Sequence, residues 1–121
     1  MNMIEEIKST LWIETRLKSR ELEYLEGVIY REDLEKLNSL LKKYLGPPVK
    51  ESGRGTYLPK EIRGIIDNLG GLRKEQSFFY KQEGAQVVYA AIWPWESDPN
   101  RITLKSGVSE VVQKTGWPLS N

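Results

Sequence analysis

The chain reads as an α+β protein, with N-terminal amphipathic helices packed on a C-terminal three-stranded antiparallel β-meander. Three observations predict this. Apolar residues recur at spacings of three and four through the first half, the mark of helices with one buried stripe. From Gln76 the pattern turns extended, in short runs of β-branched and aromatic residues. Gly46-Pro47-Pro48 and Gly70-Gly71 punctuate the chain between these blocks. Helices first and strands second is the order of an α+β fold. With 121 residues in all, residues 1–121 are expected to form a single domain.

Ile4, Ile7 and Leu11 open the first helical stripe, and Asn2 and Glu5 are spaced as a capping box. Ile13 and Leu17 continue it on a rotated face, and Leu22, Leu25 and Ile29 form another. Residues 3–29 therefore suit one long helix or two shorter ones, with Gly27 marking a break near the end. The clearest helix covers residues 31–45. Leu34, Leu37, Leu41 and Tyr44 form its stripe, widened by Leu40 and Leu45. Glu32, Asp33 and Glu35 at its start and Lys42 and Lys43 at its end complement the helix dipole. Gly46 stops it, and Pro47-Pro48 prevents continuation. Residues 49–57 read as a loop. Pro59 then fits the first turn of a third helix, whose face is Ile62, Ile65, Ile66 and Leu69 and whose end is Gly70-Gly71.

Phe78-Phe79-Tyr80 and residues 87–93 bracket Glu83-Gly84 as a hairpin. Glutamate disfavours positive φ, so the expected loop is 82–84, with Gly84 in the left-handed position. Ser97-Asp98-Pro99-Asn100 make a second turn, followed by a strand over 101–105. Val108, Val111 and Val112 allow a short C-terminal helix after Ser106. Residues 86–93 are then the middle strand, and both its faces are apolar: Val87, Tyr89, Ala91 and Trp93 on one, Val88, Ala90 and Ile92 on the other. A sheet with one wet side does not show this pattern, so both sides need a cover. Ile102 and Leu104 mark the fuller side, under the helices. Arg101, Thr103 and Lys105 lie on the second, whose cover could be the N-terminal helix, the tail ending in Trp117-Pro118-Leu119, a second copy of the chain or an outside partner.

Composition narrows the function. Hydrophobic residues are 39% and charged residues 29%, as in a folded soluble chain. Lys plus Arg is 18 against 17 for Asp plus Glu, so the net charge of +1 gives no global field toward nucleic acid or an anionic membrane. The absence of cysteine removes disulfides, thiolate metal sites and thiol catalysis. The absence of histidine removes the commonest general base and metal ligand. Neither a metal nor a cofactor is expected. The longest uncharged run, 84–95, is short of the roughly 20 residues of a membrane span. The acidic start lacks the basic region of a secretory signal, so the expected location is the cytoplasm.

Four features of the sequence are candidate sites. Trp93-Pro94-Trp95 is the most unusual: the proline holds Trp93 extended, and the two indoles beside Arg101 could stack on a base, a sugar or another planar ligand. The plainer role for both rings is to anchor the sheet to the helices. Gly53-Arg54-Gly55-Thr56 could offer N–H groups and the Arg54 guanidinium to an anion, although it lacks the length and lysine of a P-loop. Carboxylate pairs such as Glu5-Glu6, Glu32-Asp33 and Glu96 with Asp98 are the only available acid–base chemistry, and helix dipoles and turns account for them without catalysis. Helices followed by a hairpin is also the element order of a winged-helix domain, with Lys60 and Arg63 on the third helix and Lys50, Arg54, Arg73 and Lys74 beside it, but acidic residues interleave with these. The expectation is a small non-catalytic interaction or ligand-binding module. Its binding residues are Trp93, Trp95, Arg101 and Arg54, and its partner is a protein or a second copy of itself. A winged-helix-like nucleic-acid binder is the alternative, and a small carboxylate-based enzyme is third.

Overall fold

A computed structural model describes residues 2–16, 19, 23–50, 58–71 and 76–110. The order is α1 (Met3–Thr10), β1 (Glu14–Thr15), β2 (Tyr24–Tyr30), a 3₁₀ turn (Arg31–Asp33), α2 (Leu34–Leu45), α3 (Lys60–Asn68), β3 (Ser77–Glu83), β4 (Gln86–Pro94) and β5 (Arg101–Glu110). The strands form one five-stranded sheet in the order β1-β2-β5-β4-β3, and every neighbour pair is antiparallel.

The expected three-stranded meander is therefore too small. Leu25 and Ile29, read as part of a helical stripe, lie in β2, which pairs with β5 from Tyr24↔Gly107 to Tyr30↔Arg101. A spacing of four residues puts Leu25 and Ile29 on one side of a strand as well as of a helix. Tyr24, Val28, Ile29 and Tyr30 favour the strand, and the seven-residue ladder to β5 decides it. Gly27 is not a helix break. A Cβ there would lie 2.6 Å from Ile13 Cγ1 and 2.9 Å from the Glu14 carbonyl oxygen, so the edge strand β1 can approach only a glycine. Glu26, beyond the end of β1, accepts from the Arg16 N–H at 2.7 Å and also exchanges hydrogen bonds with the Ser19 hydroxyl: its N–H donates to Ser19 Oγ at 2.9 Å, and Ser19 Oγ donates to its carbonyl at 3.0 Å.

The helices follow their local signals more closely. Asn2 and Glu5 close a reciprocal capping box on α1, but α1 ends at Thr10 rather than running on. Helix α2 ends where Gly46 takes φ +80°. Pro59 is the N-cap of α3, one place earlier than expected, and Gly70 and Gly71 both take positive φ after it. The hairpin loop is the two-residue Gly84-Ala85, not 82–84, because Glu83 pairs with Gln86. Gly84 itself carries the positive φ, +63°, so no glutamate has to. Strand β5 runs through Ser106 to Glu110, in place of a helix after Ser106. It is held by pairing to β4 as far as Gln86↔Glu110. Val111 and Val112 lie outside the described residues.

Both faces of the sheet are covered. On one, α1 and α2 bury Ile7, Leu37 and Leu41 against Leu25, Ile29, Phe79, Ala90, Ile92, Ile102 and Leu104. On the other, α3 buries Ile62, Ile65 and Ile66 against Phe78, Val87, Tyr89 and Ala91. The second face is thus covered by the third helix and not by the N-terminal one. Val49 and Lys50, expected in a loop, lie antiparallel along the outer edge of β3 at Phe78. Among the described residues, no helix is long and apolar enough to cross a membrane.

Candidate functional site

The register places Trp93 opposite Thr103 on the face that α3 covers only in part, and Pro94 opposite Ile102 on the other face. Beyond Pro94 the Trp95 N–H donates to the Arg101 carbonyl at 3.0 Å, which extends the β4–β5 pairing by one bond. The indole of Trp95 folds back over the face of Trp93 and Thr103, and its Nε1–H donates to Thr103 Oγ1 at 2.8 Å. Against the same ring stands Arg101, its guanidinium carbon 5.7 Å from the ring centre. Arg101 is fixed in turn by an ion pair to Asp98 (3.3 Å) and by the Tyr30 ring at 5.9 Å. Tyr30 is stacked on Trp12 at 5.3 Å with an interplanar angle of 24°. Three rings and one guanidinium thus form a continuous stack, Trp12–Tyr30–Arg101–Trp95. Trp12, at its outer end, is 59% exposed.

Trp95 also lines an open cleft of about 560 Å³ between the end of α3 and the β4–β5 corner. Trp93, Trp95 and Thr103 line it from the sheet, Leu69 and Gly70 from the helix, and the exposed Glu96 is also part of the lining. Lys105 completes the lining. Its Nζ lies 4.8 Å from the centre of the Trp93 ring and donates to the Leu69 carbonyl at 2.9 Å, where the last orphan carbonyls of α3 need donors. Glu26 faces Lys105 across the β2–β5 ladder, but its carboxylate accepts from the Tyr24 hydroxyl at 2.7 Å.

Of the four expected site residues, the fold brings Trp93, Trp95 and Arg101 together. Arg54 lies outside the described residues. Sequence reasoning missed Thr103, Lys105, Tyr30 and Trp12 as members of the site. The alternation of Arg101, Thr103 and Lys105 onto one side was visible, but only the register shows that this is the side of Trp93. Tyr30 and Trp12 could not be found while β2 was read as helix.

The remaining candidates fall to local roles. Lys50 is buried, and its Nζ donates to the Gln76 carbonyl at 2.6 Å, which withdraws it from a phosphate. Lys60 and Arg63 sit on the exposed side of α3, but a helix laid on a five-stranded sheet replaces the winged-helix order that gave them meaning. Glu5 caps Asn2, and Asp98 accepts from the Asn100 N–H at 3.1 Å while pairing with Arg101. Glu6 accepts from the Tyr44 hydroxyl and from Lys43. The Tyr44 bond first and Lys43 second hold its carboxyl below its ordinary range. Among the described residues, no group of His, Cys, Asp or Glu is arranged to hold a metal ion. Comparison with family models, with curated proteins and with solved structures gives no match for this chain.

Proposed function

We propose that the chain is a non-catalytic binding module, and that its site is the cleft walled by Trp93 and Trp95. One observation carries this reading: the Trp95 indole has the Arg101 guanidinium 5.7 Å from its centre, donates its N–H to Thr103, and lines an open cleft. A ring held in advance of a ligand loses little freedom when the ligand arrives, and rigid aromatic walls bind on that account. The cleft volume falls in the range of small-molecule sites. The carboxylates Glu5, Glu6 and Asp98 are each engaged in a cap or an ion pair, which weighs against acid–base chemistry. The test is a thermal-shift screen of neutral, anionic and cationic ring compounds against the wild type and Trp95→Ala. At least one class should raise the wild-type melting temperature and leave the variant unmoved. A panel that stabilises neither protein, or both equally, refutes the reading.

A second reading is self-association, and the exposure of Trp12 favours it, since large exposed aromatics are the usual anchors of protein contacts. Light scattering on the wild type and Trp12→Ser decides this. A concentration-dependent dimer lost in the variant supports it, and a monomer throughout ends it.

A further inference from the structure

We infer that the cleft selects a small planar anion, a ring compound bearing a carboxylate, with the acid group on Lys105 and the ring against Trp95. The inference rests on the binding-module reading and adds the ligand class to it.

The charge in the cleft lining is the first ground. An ammonium group carries three N–H donors. Lys105 gives one to the Leu69 carbonyl, and among the described residues no carboxylate accepts from it. The carboxylate of its cross-strand neighbour Glu26 accepts from the Tyr24 hydroxyl, and Glu96 in the same lining is exposed to solvent. The group is half-buried, so an anion that reaches it meets a positive charge in a medium less polar than water, where the attraction is stronger.

The rings supply the second ground. Each indole already has a cation against it: Arg101 on Trp95 and Lys105 on Trp93. A cationic ligand would bring another positive charge beside Arg101 and Lys105 and be repelled by both. A neutral or anionic ring meets no such repulsion, and it gains the stacking area of Trp95 without ordering that side chain. Size agrees with this, because an open cleft of about 560 Å³ admits one or two fused rings with an acid group. Lys105 also satisfies the α3 terminus, but one carbonyl uses only part of its capacity.

The experiment follows the indole Nε1–H signals of the full chain by ¹⁵N NMR, assigned with single Trp→Phe variants. The probes are 2-naphthoate, 2-naphthylmethanol and 2-naphthylmethylamine. Naphthoate should shift the signals of Trp93 and Trp95 and bind at least about tenfold tighter than the alcohol, the advantage of one charge-assisted hydrogen bond. The amine should bind weakest. Lys105→Met should reduce naphthoate to the level of the alcohol, and Lys105→Arg should restore it. Should the loss of the Leu69 tie unfold Lys105→Met, the three-probe comparison on the wild type still decides. Equal affinity for all three probes overturns the anion and leaves the binding module standing. If no probe moves either signal, both readings fail together.

Discussion

Substituting Gly27 by alanine changes stability in opposite directions depending on whether β2 is a strand under β1 or a helix. In an exposed helix, Gly→Ala stabilises by about 1 kcal/mol. In the sheet, the added Cβ would lie 2.6 Å and 2.7 Å from Ile13 Cγ1 and Cδ1 and 2.9 Å from the Glu14 carbonyl oxygen. The Ile13 side chain can rotate away, but the carbonyl belongs to the backbone of β1 and moves only with that strand. Overpacking of this kind costs about 1–3 kcal/mol, against about 0.4–1 kcal/mol gained by restricting the unfolded chain. The expected net loss is about 1–2 kcal/mol. Urea denaturation followed by tryptophan fluorescence measures it, as a lower midpoint at unchanged slope. Ile13→Ala in the Gly27→Ala background should cost less than Ile13→Ala alone, because the smaller side chain removes one of the two clashes. A midpoint unchanged or raised in Gly27→Ala refutes the packing of β1 on β2.

Two other outcomes follow from the core and the α1–α2 contact. Leu37 is fully buried beneath α2, so Leu37→Ala should lower the unfolding free energy by about 2–5 kcal/mol, and an unchanged melting curve would mean that α2 presents another face. Glu6 is held below its ordinary value of 4.5 by the Tyr44 hydroxyl and then Lys43, so its contribution is present above that value and lost as pH falls through the lower folded value. Glu6→Gln should flatten the acid limb of the stability curve, and superimposable curves would count against the Glu6–Tyr44 bond. The same bond raises Tyr44 above 10.0, so its contribution holds below pH 10 and is lost as pH rises through the raised value. In Tyr44→Phe both limbs should flatten together.

What could be read from the sequence depended on whether the determining interaction was local. The Asn2–Glu5 capping box, the α2 stripe, its stop at Gly46 and the end of α3 at Gly70-Gly71 each depend on residues a few positions apart. Strand β2 depends on β5, and Tyr30 meets Arg101 only after the whole intervening chain has folded. The local pattern of Leu25 and Ile29 fits a helix and a strand equally well. The site divides in the same way. Trp93, Trp95 and Arg101 lie close in sequence around one turn, whereas Tyr30 and Trp12 reach them through β2. Lys105 needed both the β4–β5 register and the end of α3 before it could be placed against Trp93.

The position of the cleft follows from how far a helix can cover a sheet. Five strands at about 4.8 Å spacing span about 19 Å, while one helix with its side chains is about 10 Å across. The pair α1 and α2 therefore suffices for one face, and α3 alone covers about half of the other. The residues divide accordingly. Under α3 stand Phe78, Val87, Tyr89 and Ala91 on β3 and β4. Beside it, on β2 and β5, stand Tyr30, Arg101, Thr103 and Lys105, which carry an apolar body or stem and a polar end and so tolerate a surface partly open to water. The boundary between the two halves runs between β4 and β5. Trp93 packs against the α3 cluster on one side of it and takes the Lys105 ammonium from the other. Trp95, carried past the end of β4 by Pro94, turns back across the same boundary to Thr103. A cleft at this seam needs no specialised loop: a helix too narrow for its sheet leaves the gap, and the Trp-Pro-Trp corner walls it.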